Sequence, residues 1–174
     1  MKLKWIFRFA AVIAILGLTV VATSADEGTL SLRAKLTGFQ ESPPKLSPST
    51  GTFEATVIGS TLSYKLTYTK LSSPALQAHI HFAQPAVNGG IFLWLCQSST
   101  NPGPAGTPTC PPDGGTVSRS GVTAADIQGL SAQNLTAGDF VGAMRIITSG
   151  DAYVNVHTTL YPAGEIRGFV RTSD

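Results

Sequence analysis

Much of the usual machinery of catalysis is missing from this 174-residue sequence. There is no glycine-rich phosphate loop, no paired nucleophile and base, and no His-Glu-x-x-His motif. A blue-copper centre would need a cysteine ligand beside histidine and methionine. Only two cysteines, Cys96 and Cys110, are present, and their spacing suits a bond to each other better. These gaps favour a non-catalytic protein over an enzyme. No internal repeat and no linker divides the chain, and about 150 residues after the leader suffice for one domain with a substantial core.

The N-terminus places Lys2, Lys4 and Arg8 ahead of an apolar run from Phe9 to Ala22, closed by Thr23, Ser24 and Ala25. That is the layout of a secretory signal peptide, here residues 1–25. A retained anchor is the alternative, but the run is short of the ~20 residues a spanning helix needs. No cysteine follows it, which argues against a lipoprotein. Cleavage would remove three of the 12 cations, leaving nine against 10 anions, a net charge of −1. The basic balance thus belongs to the leader, and no nucleic-acid footprint remains. The expected location is secreted or periplasmic, with no membrane span once the leader is gone and residues 26–174 forming the domain.

An even cysteine count in an exported chain suggests a disulfide. Between Cys96 and Cys110 lies a loop rich in Pro, Gly, Ser and Thr, so closing it would stabilise the fold by roughly 3 kcal/mol in the chain-entropy model. A metal role for the thiols remains the alternative, though neither belongs to a Cys-x-x-Cys pair.

Period-two alternation dominates the remainder. Strands are expected at Leu30–Leu36, at Thr52–Ile58 and Thr61–Thr69 around the Gly59-Ser60 turn, and at Leu76–Ala83 and Ile91–Cys96. Others are expected at Gly115–Val122, Ala152–Thr159 and Glu165–Arg171. Pro43, Pro44 and Pro48 make 40–50 a loop. Short helices are expected to begin at Thr123 and Thr136, each with an aspartate three residues on, Asp126 and Asp139. The second carries Phe140, Ala143, Met144 and Ile147 on one face and stops at Gly150. Seven or eight short strands with intervening turns predict a mostly β fold, an antiparallel β-sandwich.

All three histidines fall in two of these strands. Gln77, His79 and His81 share one face, opposite Ala78, Ile80 and Phe82; Tyr153, Asn155 and His157 share one face, opposite Ala152, Val154 and Val156. The imidazoles therefore lie opposite the rows expected to face the core, on what should be outward surfaces. Two histidines at i and i+2, joined by a third from a neighbouring strand, would give three-nitrogen ligation suited to one copper or zinc ion. Gln77, Tyr153, Asn155, Glu165 and Arg167 are candidates for steadying those ligands from behind. Glu165 and Arg167 also alternate onto one face, where a structural ion pair or hydrogen-bond network is the plainer expectation. Cross-strand hydrogen bonding of the histidines, in a structural or adhesive module with an envelope or extracellular partner, is the competing reading.

Both motifs resemble segments of the CHRD domain, named for chordin and common in exported bacterial proteins. The resemblance rests on Ala78–Phe82 followed by Val87–Gly90, and on Ala152–Thr158 followed by Tyr161–Gly168. Leu36–Pro44 and Leu135–Phe140 extend it to about residues 29–171. It implies one extracellular domain and does not carry over chordin's growth-factor handling, whose accompanying modules are missing. The His-x-His strand is also similar to the copper-ligand strand of Cu,Zn superoxide dismutase, but three histidines are too few for that dinuclear site.

Overall fold

The computed structural model describes residues 1 and 28–173. The expected leader at 1–25 lies, apart from Met1, outside the described residues. Nine strands follow: β1 (Leu30–Thr37), β2 (Thr50–Ile58), β3 (Thr61–Thr69), β4 (Ala75–Phe82), β5 (Gly90–Cys96), β6 (Gly115–Val122), β7 (Ala152–Thr158), β8 (Ile166–Phe169) and β9 (Arg171–Thr172). They form a single antiparallel sheet in the order β5-β4-β7-β8-β1-β2-β3-β6, with β9 pairing β1. The two ends of this path come back toward each other, so the sheet is nearly closed into a barrel. This corrects the expected sandwich. Alternation fixes which side chains share a face, but not whether the faces curl around one core or pack as two layers.

The core holds the inward rows: Leu32, Ala34 and Leu36 of β1, Phe53, Ala55 and Val57 of β2, Leu62, Tyr64, Leu66 and Tyr68 of β3, and Ala78, Ile80, Val154, Val156 and Ile166 across the sheet. The one α-helix among the described residues, α1 (Phe140–Ser149), turns Phe140, Ala143 and Ile147 into that core. Asp139 caps it by accepting from Gly142 N at 2.8 Å, and Gly150 ends it at φ 88°. The cap is thus three residues later than the expected start at Thr136. The segment beginning at Thr123 forms only a 3₁₀ turn, Ala124–Asp126, in which Asp126 accepts from Thr123 N at 2.9 Å. Cys96 and Cys110 are bonded, with Cα atoms 5.0 Å apart.

Candidate metal centre

Strand register assembles the site. β4 and β7 run antiparallel with Gln77 opposite His157, His79 opposite Asn155 and His81 opposite Tyr153. On the outer neighbours, Trp94 of β5 lies opposite His79, and Arg167 of β8 lies opposite Asn155. One polar row therefore crosses four strands, Trp94–His79–Asn155–Arg167, with His81 two residues along β4 from His79 and His157 diagonally across from it on β7. The His79 ring centroid is 5.4 Å from that of His81 and 5.0 Å from that of His157. One nitrogen from each of the three rings can be chosen so that all lie within 4.8 Å of one another.

The face is not the solvated surface that alternation suggested. His79 is 0% exposed, His81 6% and His157 7%, and every residue of β7 is buried. Loops cover it. The segment after β1 brings in Glu41, the β4–β5 loop brings Val87, Asn88 and Gly89, and the β7–β8 loop brings Pro162 and Gly164. The disulfide-closed loop lays Gly103 on Trp94, so closely that a Cβ there would sit 2.5 Å from the indole. Trp94 in turn meets His79 edge-on at 4.3 Å.

Hydrogen bonds assign the ring protons. His157 Nδ1 lies 2.9 Å from Pro162 O, which can only accept, so this nitrogen donates. A neutral His157 then has a bare Nε2, which accepts from His79 Nδ1 at 3.2 Å. His79 Nε2 is left as a lone pair, buried and without a partner among the described residues. His81 Nδ1 faces Gly89 O at 3.0 Å and its Nε2 faces Asn155 Oδ1 at 3.1 Å, two acceptors for a ring with one proton when neutral. Both deficits have the same sign, since each calls for a proton or another electrophile. Protons are disfavoured: burial pushes His81 and His157 down to about 4 and His79 to about 2, the last lowered further by its two imidazole neighbours.

The surrounding residues divide sharply. Tyr153 stacks on His81 at 4.7 Å and 3° between planes, and the Arg167 guanidinium lies 4.0 Å over the other side of Tyr153. Arg167 pairs with Glu41 at 3.0 Å, both buried, and also reaches Val87 O and Asn88 Oδ1. Asn155 donates to Glu41 Oε1 at 3.3 Å, closing a network that runs back to His81. Glu165 and Arg167 do not pair with each other; each enters a separate structural network, which meets the hydrogen-bond half of the expectation. Glu165 sits in a cup of hydroxyls, accepting from Ser47, Ser49, Ser72 and Thr158. Burial raises its carboxyl, but those donors outweigh that and hold it below the ordinary range. Gln77 is half-buried and, among the described residues, bonds to no imidazole.

Glu41, Asn88 and Trp94 are the participants that sequence reasoning missed. The only signal for Glu41 was its place in the Leu36–Pro44 segment. Trp94 could have been paired with His79 only by knowing the β4–β5 register.

Compared with known proteins, residues 32–170 match the family model described as CHRD domain. No curated protein and no solved structure matches the chain.

Proposed function

The chain belongs to the CHRD family, and from that premise we propose that it is an exported protein, residues 26–174 after removal of 1–25, that binds one transition-metal ion, copper or zinc, through His79, His81 and His157. The observation that carries this reading is the shared deficit of the cluster. His79 Nε2 lacks a partner among the described residues, and His81 faces two acceptors, in a place where burial keeps the rings neutral. A cation would supply what is missing, and neutral imidazole is the form that ligates metals. Backbone carbonyls receiving Nδ1–H of His81 and His157 are the partners that orient metal-bound histidines. The disulfide suits an oxidising compartment.

The test is metal titration of the protein recovered from a secreting host, comparing it with His79→Ala and His157→Ala. One ion per chain, lost in both variants, supports the reading; equal stoichiometry and affinity in all three overturns it.

One observation favours the structural alternative, a non-catalytic interaction module. Both ring nitrogens of His81 and both of His157 already face hydrogen-bonding groups, Gly89 O, Asn155 Oδ1, Pro162 O and His79 Nδ1, without any ion. In that case metal and chelator would leave Tm unchanged, whereas a metal site would show a rise reversed by the chelator.

A further inference from the structure

We infer that the ion this cluster is built to hold is monovalent copper, Cu(I), in preference to a divalent ion; the inference rests on the three-histidine reading above. Three features of the surroundings lead to it. The first is burial. The histidines are 0–7% exposed, and the cost of taking an ion out of water grows with the square of its charge, so a divalent ion costs about four times as much as a monovalent one.

The second is the absence of negative charge to offset a second positive one. The donor set is three neutral imidazoles, and among the described residues no carboxylate or thiolate joins the group. Both cysteines are committed to the disulfide. Glu41 reaches His81 only through Asn155, and its charge is already matched by Arg167 at 3.0 Å. Glu165 is turned away into its hydroxyl cup.

The third is coordination number. Zinc in protein sites completes a tetrahedron, and its fourth ligand here would have to be solvent. The histidines are 0–7% exposed beneath Trp94, Pro162 and the β4–β5 loop, so that solvent ligand would have to be buried along with the ion. Cu(I) is satisfied by three donors in a plane. Cu(II) favours tetragonal sites with four or more donors, and three buried imidazoles cannot provide one.

To test this, the full chain is expressed in a secreting host, stripped of metal, and titrated anaerobically with Cu(I) buffered by bicinchoninate. Ascorbate keeps the copper reduced while leaving the disulfide intact. Zn(II) and Cu(II) are titrated separately, with thermal unfolding as a second readout. The expected result is one Cu(I) per chain, bound on the order of 100-fold or more tightly than Zn(II), with a rise in Tm. His79→Gln and His157→Gln should each abolish that rise, near-UV circular dichroism establishing that the variants are folded. Zn(II) or Cu(II) bound as tightly as Cu(I) through the same histidines would overturn the preference for a monovalent ion and leave the metal site standing. If no ion's binding responds to either variant, the metal site and this inference fall together.

Discussion

The two halves of the barrel use strand alternation differently. In β2 and β3 it means what it usually means: buried rows such as Phe53, Ala55 and Val57 alternate with exposed Thr52 and Glu54, or with partly exposed Thr56. Charges on the outer face pair loosely across strands, as Lys65 does with Glu54 at 3.3 Å, both more than half exposed. In β4, β7 and β8 the polar row is buried as thoroughly as the apolar one, because three loops and a tryptophan cover it. There a guanidinium and a carboxylate, 1% and 2% exposed, hold each other beside three imidazoles. A polar row on a strand thus becomes a site only when something closes over it and takes the water away. Without water, every proton and every charge must be accounted for.

The largest expected difference between the halves is in acid. The three histidines have folded-state values of about 4, 4 and 2, against about 6.5 when unfolded. Between those limits the unfolded chain binds more protons, so stability falls as pH falls, starting at 6.5 and continuing toward 4. Each imidazole should cost about 2 kcal/mol between pH 7 and pH 5 in the metal-free protein. Glu41, with its raised carboxyl, works the other way and trims the loss. Glu165, held low, adds its own loss only below the ordinary carboxylate range. Urea unfolding from pH 7 to 5 checks this, and a flat profile would mean that the cluster is hydrated.

Next in size is Arg167→Leu, which strands the Glu41 carboxylate in a buried place and should cost about 3–5 kcal/mol by urea unfolding. A loss under 1 kcal/mol would erase the contrast with the open half.

A matched pair of glycines sharpens the comparison further. Gly121 of β6 (φ 72°) and Gly164 beside the cluster (φ 123°) both hold backbone that side chains avoid. A Cβ at Gly121 meets nothing within 4 Å, so Gly121→Ala should cost about 1 kcal/mol. At Gly164 it would lie 2.6 Å from both Asn155 Nδ2 and Glu41 Oε1, so Gly164→Ala should cost about 3 kcal/mol. Equal Tm shifts would refute the claim that the covered face is tightly packed. The smallest effect belongs to Lys65→Ala, expected within about 1 kcal/mol because its ion pair is exposed.

Strand positions were legible because hydrophobic periodicity is local: eight expected strands correspond to β1–β8, within a residue or two at most ends. The helix was legible from its stripe, although its cap is Asp139 rather than Thr136, because Asp139 carries the oxygen that Gly142 N finds. The candidate ligands were legible as residue types at strand spacing, and His157 could be grouped with the other two only as a conjecture about neighbouring strands. For want of long-range information two readings failed and a third was met only in part. Glu165 and Arg167 share a face in sequence, yet each found partners more than 70 residues away, in Ser72 and in Asn88 and Glu41. The outward histidines became buried because loops distant in sequence fold over them. Sheet closure depends on how β5 and β6 approach each other, which no local pattern records.

The sequence by itself determined the strands, the faces their side chains share and the cysteine pair that could bond, because these follow from backbone geometry and chain connectivity over short distances. The tertiary structure alone decided that the strands curl into one nearly closed sheet, that β4 and β7 lie side by side, and that loops seal the polar row. Burial is a property of what arrives from elsewhere in the chain. It is burial that turns three ordinary imidazoles into a neutral, electrophile-seeking cluster.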